Sequence, residues 1–405
     1  MIRLSSPNPD TVARYLPWIF AFSFLSFMSE SFIGSKIVIG SFLLIWWIDN
    51  DFIREMWRSV RSIYVPMAIF LVLMTLLSMS RVESLRAGLS VFKSWLVFFP
   101  VVWITLRSGK AFHLAWLYGM FFFGVAGLAA CIFTTYNILL PGMQDAGGEG
   151  INWFSNRNSF AVTLGFSWII GVAWLSSTTW SRKNSQLILA IILILAVIAY
   201  DIYFNRSRGG VLATVAATAL IILVRLPWRS IIRFGMPVFT AFLLAVWVSR
   251  NNITSYFIHR NLMNGRDEVY ALAWRSIKAN PWLGQGPDTF KVDEYVIRHS
   301  VEGGYNTTHD IYIDILYSTG VVGLVFWLVH FIRMYRLASY PALTINAKAI
   351  DRQELQFYGC LIIGFAGYMA VHGLVDFGFY RQMPGVIFSF CFGIYYALRV
   401  SQEAK

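Results

Sequence analysis

SIYVPMAIFLVLMTLLSMS, residues 62–80, lies between Arg61 and Arg81 and holds no charged side chain. As a helix rising 1.5 Å per residue it reaches roughly 28 Å, the depth of a bilayer's hydrocarbon core. Outward from it, uncharged or briefly interrupted runs recur at 15–32, 37–48, 85–106, 111–144, 158–181, 186–204, 209–224, 232–249, 310–333, 355–375 and 382–398. With 62–80 they predict about twelve transmembrane helices and an all-α, polytopic membrane fold. Composition agrees. Of 405 residues 57% are hydrophobic and 13% charged, about half the charged share of a soluble domain. A soluble enzyme and a disordered chain are both excluded. Cys131, Cys360 and Cys391 sit inside apolar runs, where they suit neither a disulfide framework nor a metal knuckle.

Charge orients the chain. With the N-terminus inside, the cytoplasmic segments collect 18 Lys and Arg and the short external loops 7, so both termini are expected in the cytoplasm. The first span shows no small-residue cleavage site and reads as retained. One external segment, 250–309, is long and divides the chain. Nine spans are expected over 1–249, a helical lid over 250–309, and three further spans over 310–405. Within the lid Val269, Leu272, Ala273 and Ile277 share one helix face, and Pro281 stops that helix. A second amphipathic stretch is expected over 288–298, and both should lie over the membrane surface.

Several site types are missing from the sequence. It holds no GxxxxGK[ST] phosphate loop, and its six histidines show no H-x-x-x-H pair, so neither a nucleotide loop nor a metal site is expected. Asp49-Asn50-Asp51 reads as a solvated helix end rather than a metal–nucleotide-sugar site.

The external arginines run against the charge rule. Arg206 and Arg208 lie in Asn205-Arg206-Ser207-Arg208-Gly209-Gly210, Arg157 in Asn156-Arg157-Asn158-Ser159, and Arg266 in Asn264-Gly265-Arg266. Guanidinium forks beside turn and helix-start amides suit a diphosphate. Each one alone could instead snorkel to lipid headgroups or pair with a carboxylate. Four on one face favour a polyanion site.

His309, in Asn306-Thr307-Thr308-His309-Asp310, stands where the chain re-enters the membrane as a helix. Thr307 or Thr308 is expected to cap that helix and put His309 in its first turn, where the positive helix end and the arginines disfavour the imidazolium. A neutral imidazole can take a proton from a hydroxyl, so His309 is the candidate general base. The plainer alternative is an interfacial hydrogen-bonder. Asp310 and Asp314, one turn apart, could orient it. His330 and His372 read as packing residues, Gly320 and Gly323 as a small-residue helix contact, and Asp376 with Arg381 as a structural pair.

Four segments occur in a telling order. Ser207-Arg208-Gly209-Gly210 comes first, then Asn264-Gly265-Arg266 through Trp274. Asn280-Pro281-Trp282-Leu283-Gly284-Gln285-Gly286 follows, and last Thr308-His309-Asp310 with Gly320-Val321-Val322-Gly323. Around one large external loop, this order resembles the O-antigen ligase and O-antigen polymerase superfamily of bacterial membrane glycosyltransferases. The motifs cover 152–323, and Asn156, Arg157, Asn158 and the Asp376 turn also resemble family positions. One departure is Asp310, where such motifs usually carry Asn or Ser.

The resemblance implies a GT-C-like protein of the bacterial inner membrane with a periplasmic active site. It implies inverting glycosyl transfer without metal or cofactor. The donor would be a polysaccharide on undecaprenyl diphosphate and, for a ligase, the acceptor a sugar of lipid A–core; membrane lipids surround the protein and no nucleic acid is involved. His309, Arg208 and Arg266 would serve the site, with arginines stabilising the diphosphate leaving group in place of a metal. The compact length leans toward a ligase over a polymerase, which extends a lipid-linked chain. A lipid-linked glycan transporter or flippase is the rival from another class. It should show pseudo-symmetric halves and broken helices near the bilayer centre, and neither is visible in the sequence.

Overall fold

The computed structural model describes residues 8–28, 32–109, 157–178, 184–204, 207–225, 266–300, 308–339, 352–374 and 382–403, with isolated positions between 112 and 119. Among them every regular element is a helix, and ten of the twelve expected spans fall on one. Most of 111–144 and all of 232–249 lie outside the described residues. Four helices among the described residues are long and apolar enough to cross a membrane: Asn50–Leu77, Arg81–Ser108, Ile311–Met334 and Arg352–His372. Shorter apolar helices cover Lys36–Ile48, Ala161–Ser177, Ser185–Ala199, Gly209–Arg225 and Gly385–Ser401.

The Asn50–Leu77 helix starts well ahead of the apolar run 62–80. Asp49 caps it by accepting the Phe52 N–H at 3.4 Å. Its first turns are amphipathic, with Phe52, Ile53, Met56 and Val60 buried and Arg54, Arg58 and Arg61 exposed. Asp49 also accepts from Arg107 at 2.6 Å and from the Trp103 indole at 2.8 Å. The Asp49–Asp51 string is therefore a helix end, ion-paired to a neighbouring span rather than merely solvated.

The main core joins the Arg352–His372 helix to Arg157–Ser177 and Arg208–Arg225 on one side and to Gln382–Glu403 on the other. Phe98, Trp103, Tyr358, Phe365 and Tyr396 fill it. A smaller cluster of Met67, Phe70, Met74, Val91, Ile315 and Trp327 fastens the Ile311–Ser339 helix to the bundle.

That helix is broken. Gly320 has φ 61° and ψ −165°, a conformation essentially restricted to glycine. Residues 281–286 thread into the gap. The N–H groups of Gln285 and Gly286 donate to the carbonyls of Tyr317 (2.8 Å) and Ser318 (2.9 Å), and those of Val321 and Val322 donate to Pro281 (2.8 Å) and Trp282 (3.1 Å). Backbone polar groups freed by the break are thus paired again, as a buried backbone requires. A Cβ on Gly320 would collide with the Trp282 carbonyl, and one on Gly284 would lie 2.5 Å from the Tyr317 oxygen. One expectation is corrected. Gly320 is a docking gap for a loop backbone, not part of a helix–helix contact. The chain's own loop closes that break.

The 266–300 segment builds a core with the same helix. Arg266–Ala279 buries Val269, Leu272, Ala273 and Ile277, the face its spacing predicted. Over 288–298 the structure has a short turn, Phe290–Val292, and then a helix, Glu294–His299, because Asp293 accepts the Tyr295 N–H at 2.9 Å and starts a new helix. Tyr317 packs edge-on against Phe290 at 5.0 Å and donates its hydroxyl hydrogen to Asp293 at 2.8 Å. Lys291 clasps Glu83 (2.7 Å) and Asp288 (2.9 Å) at the turn after Asn50–Leu77, where Ser84 also donates to the Pro287 carbonyl at 3.0 Å. Burial alone would lower the Lys291 pKa, but its hydrogen bonds to Glu83 and Asp288 outweigh that and raise it. The segment is held at two places, and its charge clasp persists at neutral pH.

Candidate active site

Asp310 caps the helix that follows His309. Its Oδ1 accepts the N–H groups of Tyr312 (2.8 Å) and Ile313 (2.9 Å), two of the donors a helix start leaves unpaired. The expected threonine cap is corrected. Thr307 lies outside the described residues, and buried Thr308 donates its hydroxyl hydrogen to the Asp310 carbonyl at 3.0 Å, which closes the turn instead. His309 therefore precedes the helix rather than occupying its first turn. Asn, Ser and Asp are all strong caps, so Asp310 keeps the geometry that the usual Asn or Ser would give.

His309 has φ 55°, uncommon for a residue with a side chain and costing of order 1–3 kcal/mol. Its ring is half-buried, with Nδ1 shielded from solvent.

Other elements meet this turn. The Ile311 N–H donates to the Gly373 carbonyl at 2.9 Å, so the His309 turn abuts the end of Arg352–His372. Tyr270 reaches the neighbouring Leu374 carbonyl at 3.5 Å from the Arg266–Ala279 helix. Arg266 opens that helix, and burial pushes the Asp310 carboxyl up, against its two backbone hydrogen bonds and, least, the Arg266 charge. Arg266 and His309 are thus brought to one place.

Arg157 and Arg208 open the Arg157–Ser177 and Arg208–Arg225 helices, the second capped by Ser207, whose Oγ accepts the Gly210 N–H at 3.2 Å. For Arg157, Asn158 and Arg208 the structure describes the backbone and no side chain; Asn156, Arg206 and the turn from Asp376 to Arg381 lie outside the described residues. The two helix starts touch: a Cβ on Gly210 would lie 2.6 Å from that of Ala161. Ala161 in turn offers its carbonyl to the Tyr368 hydroxyl at 3.1 Å, one turn before His372. The helix starts bearing Arg157 and Arg208 and the His309 turn therefore flank the same end of Arg352–His372.

An apolar cavity of about 340 Å³ opens beside Tyr312 and runs between four helices, lined by Ile315, Trp327, His330, Met369 and Ala370 among others. The sequence carries no signal for it, because its lining is shared among four helices far apart in the chain. Its histidine is packed among aromatic rings, as is His372, stacked on Tyr368 at 5.3 Å. Among the described residues no three His, Cys, Asp or Glu side chains gather as a metal ion would require.

Residues 190–328 match the family model described as O-Antigen ligase. No match to a curated protein was found. The matched segment contains Arg208, Arg266, the loop-in-helix joint and His309, and it supports the superfamily that the ordered motifs resemble. The apolar helices make the chain a multi-pass membrane protein, and the matched segment is similar to the O-antigen ligase family.

Proposed function

We propose, taking the O-antigen ligase match as premise, that this protein transfers polysaccharide from undecaprenyl diphosphate to a sugar of lipid A–core. The reaction is an inverting, metal-independent displacement at the periplasmic face of the bacterial inner membrane. In this reading both termini are cytoplasmic, about twelve helices cross the bilayer, and 250–309 is periplasmic. The observation that carries it is the gathering at one helix end: the Arg157 and Arg208 helix starts, the His309 turn, and the helix that Arg266 opens, which reaches that end through Tyr270.

A hydroxyl of the acceptor sugar attacks the anomeric carbon of the donor. The bond from that carbon to the phosphate oxygen breaks, and its electron pair leaves on the diphosphate. Arg266 and Arg208, with Arg206 and Arg157, meet that growing charge through paired N–H donors. His309 takes the hydroxyl proton on Nε2, consistent with its shielded Nδ1. Asp310 acts through the backbone, by holding the turn. The apolar cavity beside Tyr312 suits the first isoprenoid units of the lipid.

Purified protein given lipid-linked polysaccharide and lipid A–core should form the joined product with chelator present and without ATP. Activity lost to EDTA and restored by a divalent ion would overturn the role given to the arginines. Extension of the lipid-linked chain without transfer to lipid A–core would assign a polymerase. Arg266→Ala should slow transfer or weaken donor binding about tenfold to a hundredfold, since charge-assisted hydrogen bonds contribute roughly 1.5–3 kcal/mol. Lysine should rescue only in part, because it keeps the charge and loses the fork. Full activity of Arg266→Ala would return that residue to a lipid-facing role.

A further inference from the structure

We infer that Trp282 and Leu283 form a bilayer-interface anchor that seats the 266–300 segment among the lipid headgroups. Trp282 is 67% exposed and Leu283 47%, yet the loop carrying them is held by four backbone hydrogen bonds in the Gly320 break. Large apolar side chains on so fixed a loop are presented, not left over from a mobile tip.

What they meet follows from their neighbours. The bonds from Val321 and Val322 to Pro281 and Trp282 lay the loop against the start of the second half of the broken helix. From there Val321, Val322, Val325, Leu328, Val329 and Ile332 run along one helix face, all exposed, in the apolar part of the helix that follows the break. Their spacing of one, four, seven, eight and eleven residues is a single stripe. In a multi-pass membrane protein such a stripe faces acyl chains, and Trp282 stands where it ends. Tryptophan is enriched at that level, where its ring meets lipid and its N–H meets water. Lys278, exposed one turn earlier, suits a headgroup phosphate. The anchor also fixes depth. The Trp282 carbonyl accepts from Val322, so bilayer contact is transmitted to the break and to the helix that Arg266 opens.

The test uses the full chain in lipid nanodiscs and needs no transfer activity, so it stands or falls apart from the proposed reaction. Trp282→Cys, in a background with Cys131, Cys360 and Cys391 replaced by alanine, is labelled with an environment-sensitive fluorophore. Nitroxides near the headgroups should quench it at least twofold more than nitroxides at the bilayer centre or aqueous iodide. Arg298→Cys, on the same segment, should be quenched by iodide. In the otherwise unaltered protein, Trp282→Phe should remove part of the tryptophan emission that shallow brominated lipids quench. Iodide quenching at 282 equal to that at 298, or an unchanged lipid-quenched fraction in Trp282→Phe, would overturn the anchor and leave the surface facing water or a protein partner.

Discussion

His309→Ala is expected to leave donor binding intact and lower transfer by roughly 10²–10⁴-fold, the usual worth of general-base assistance. Donor binding should survive because Arg157, Arg208 and Arg266 open other helices. The cap should survive because Asp310 makes it with its own side chain. A second variant separates the ring from its backbone. His309 has φ 55°, and asparagine tolerates that conformation better than alanine does. His309→Asn should therefore keep the turn and still fail in transfer. A pH–rate profile then distinguishes a base from a hydrogen-bonding positioner. The base model requires a rate that falls as pH drops through the histidine titration, since the protonated ring cannot accept a proton. That acidic limb should vanish in His309→Gln. An active His309→Gln enzyme with the same limb would assign the titrating group elsewhere and reduce His309 to positioning the acceptor.

Spans such as 62–80 and 355–375 are legible in sequence because a helix in lipid must satisfy its backbone locally and cover itself in apolar side chains. Both requirements are written within some twenty consecutive residues. The lid helix was legible for a similar reason: Val269, Leu272, Ala273 and Ile277 need only each other's spacing to mark a buried face. The break at Gly320 was not. Two glycines in an apolar run equally describe a close helix contact, and the segment that decides between them, 281–286, lies over thirty residues upstream. The cap of the His309 helix was misplaced because Thr308 and Asp310 can both cap. What decides is that one carboxylate oxygen reaches two N–H groups at once. At the site, the order of Arg208, Arg266 and His309 along the chain was visible. Their shared location depends on the Gly210–Ala161 approach and the Ile311–Gly373 hydrogen bond, which have no local signature.

Gly320→Ala should open the joint between the 266–300 segment and the broken helix. Alanine at φ 61°, ψ −165° carries a backbone cost of order 1–3 kcal/mol, and its Cβ would meet the Trp282 carbonyl, a backbone group unable to swing aside. At 1.4 kcal/mol per factor of ten, local opening should rise by about tenfold to a hundredfold or more. Hydrogen–deuterium exchange reads this directly, as faster exchange at the amides of Gln285, Gly286, Val321 and Val322, which make the four bonds of the joint. Gly359→Ala is the matched control. It lies inside the Arg352–His372 helix with nothing within 4 Å of an added Cβ, so alanine there should stabilise by about 0.5–1 kcal/mol and leave those four amides unchanged. Transfer should fall in Gly320→Ala although no residue assigned to the chemistry has changed, because Arg266 and His309 are carried by the two elements the joint unites. Lys291→Ala, which removes the clasp to Glu83 but spares the joint, should have the smaller effect on both readouts. Unchanged exchange at Gln285 and Gly286 in Gly320→Ala would mean that the loop is held by its own core and the Lys291 clasp, with the helix break only its passive seat.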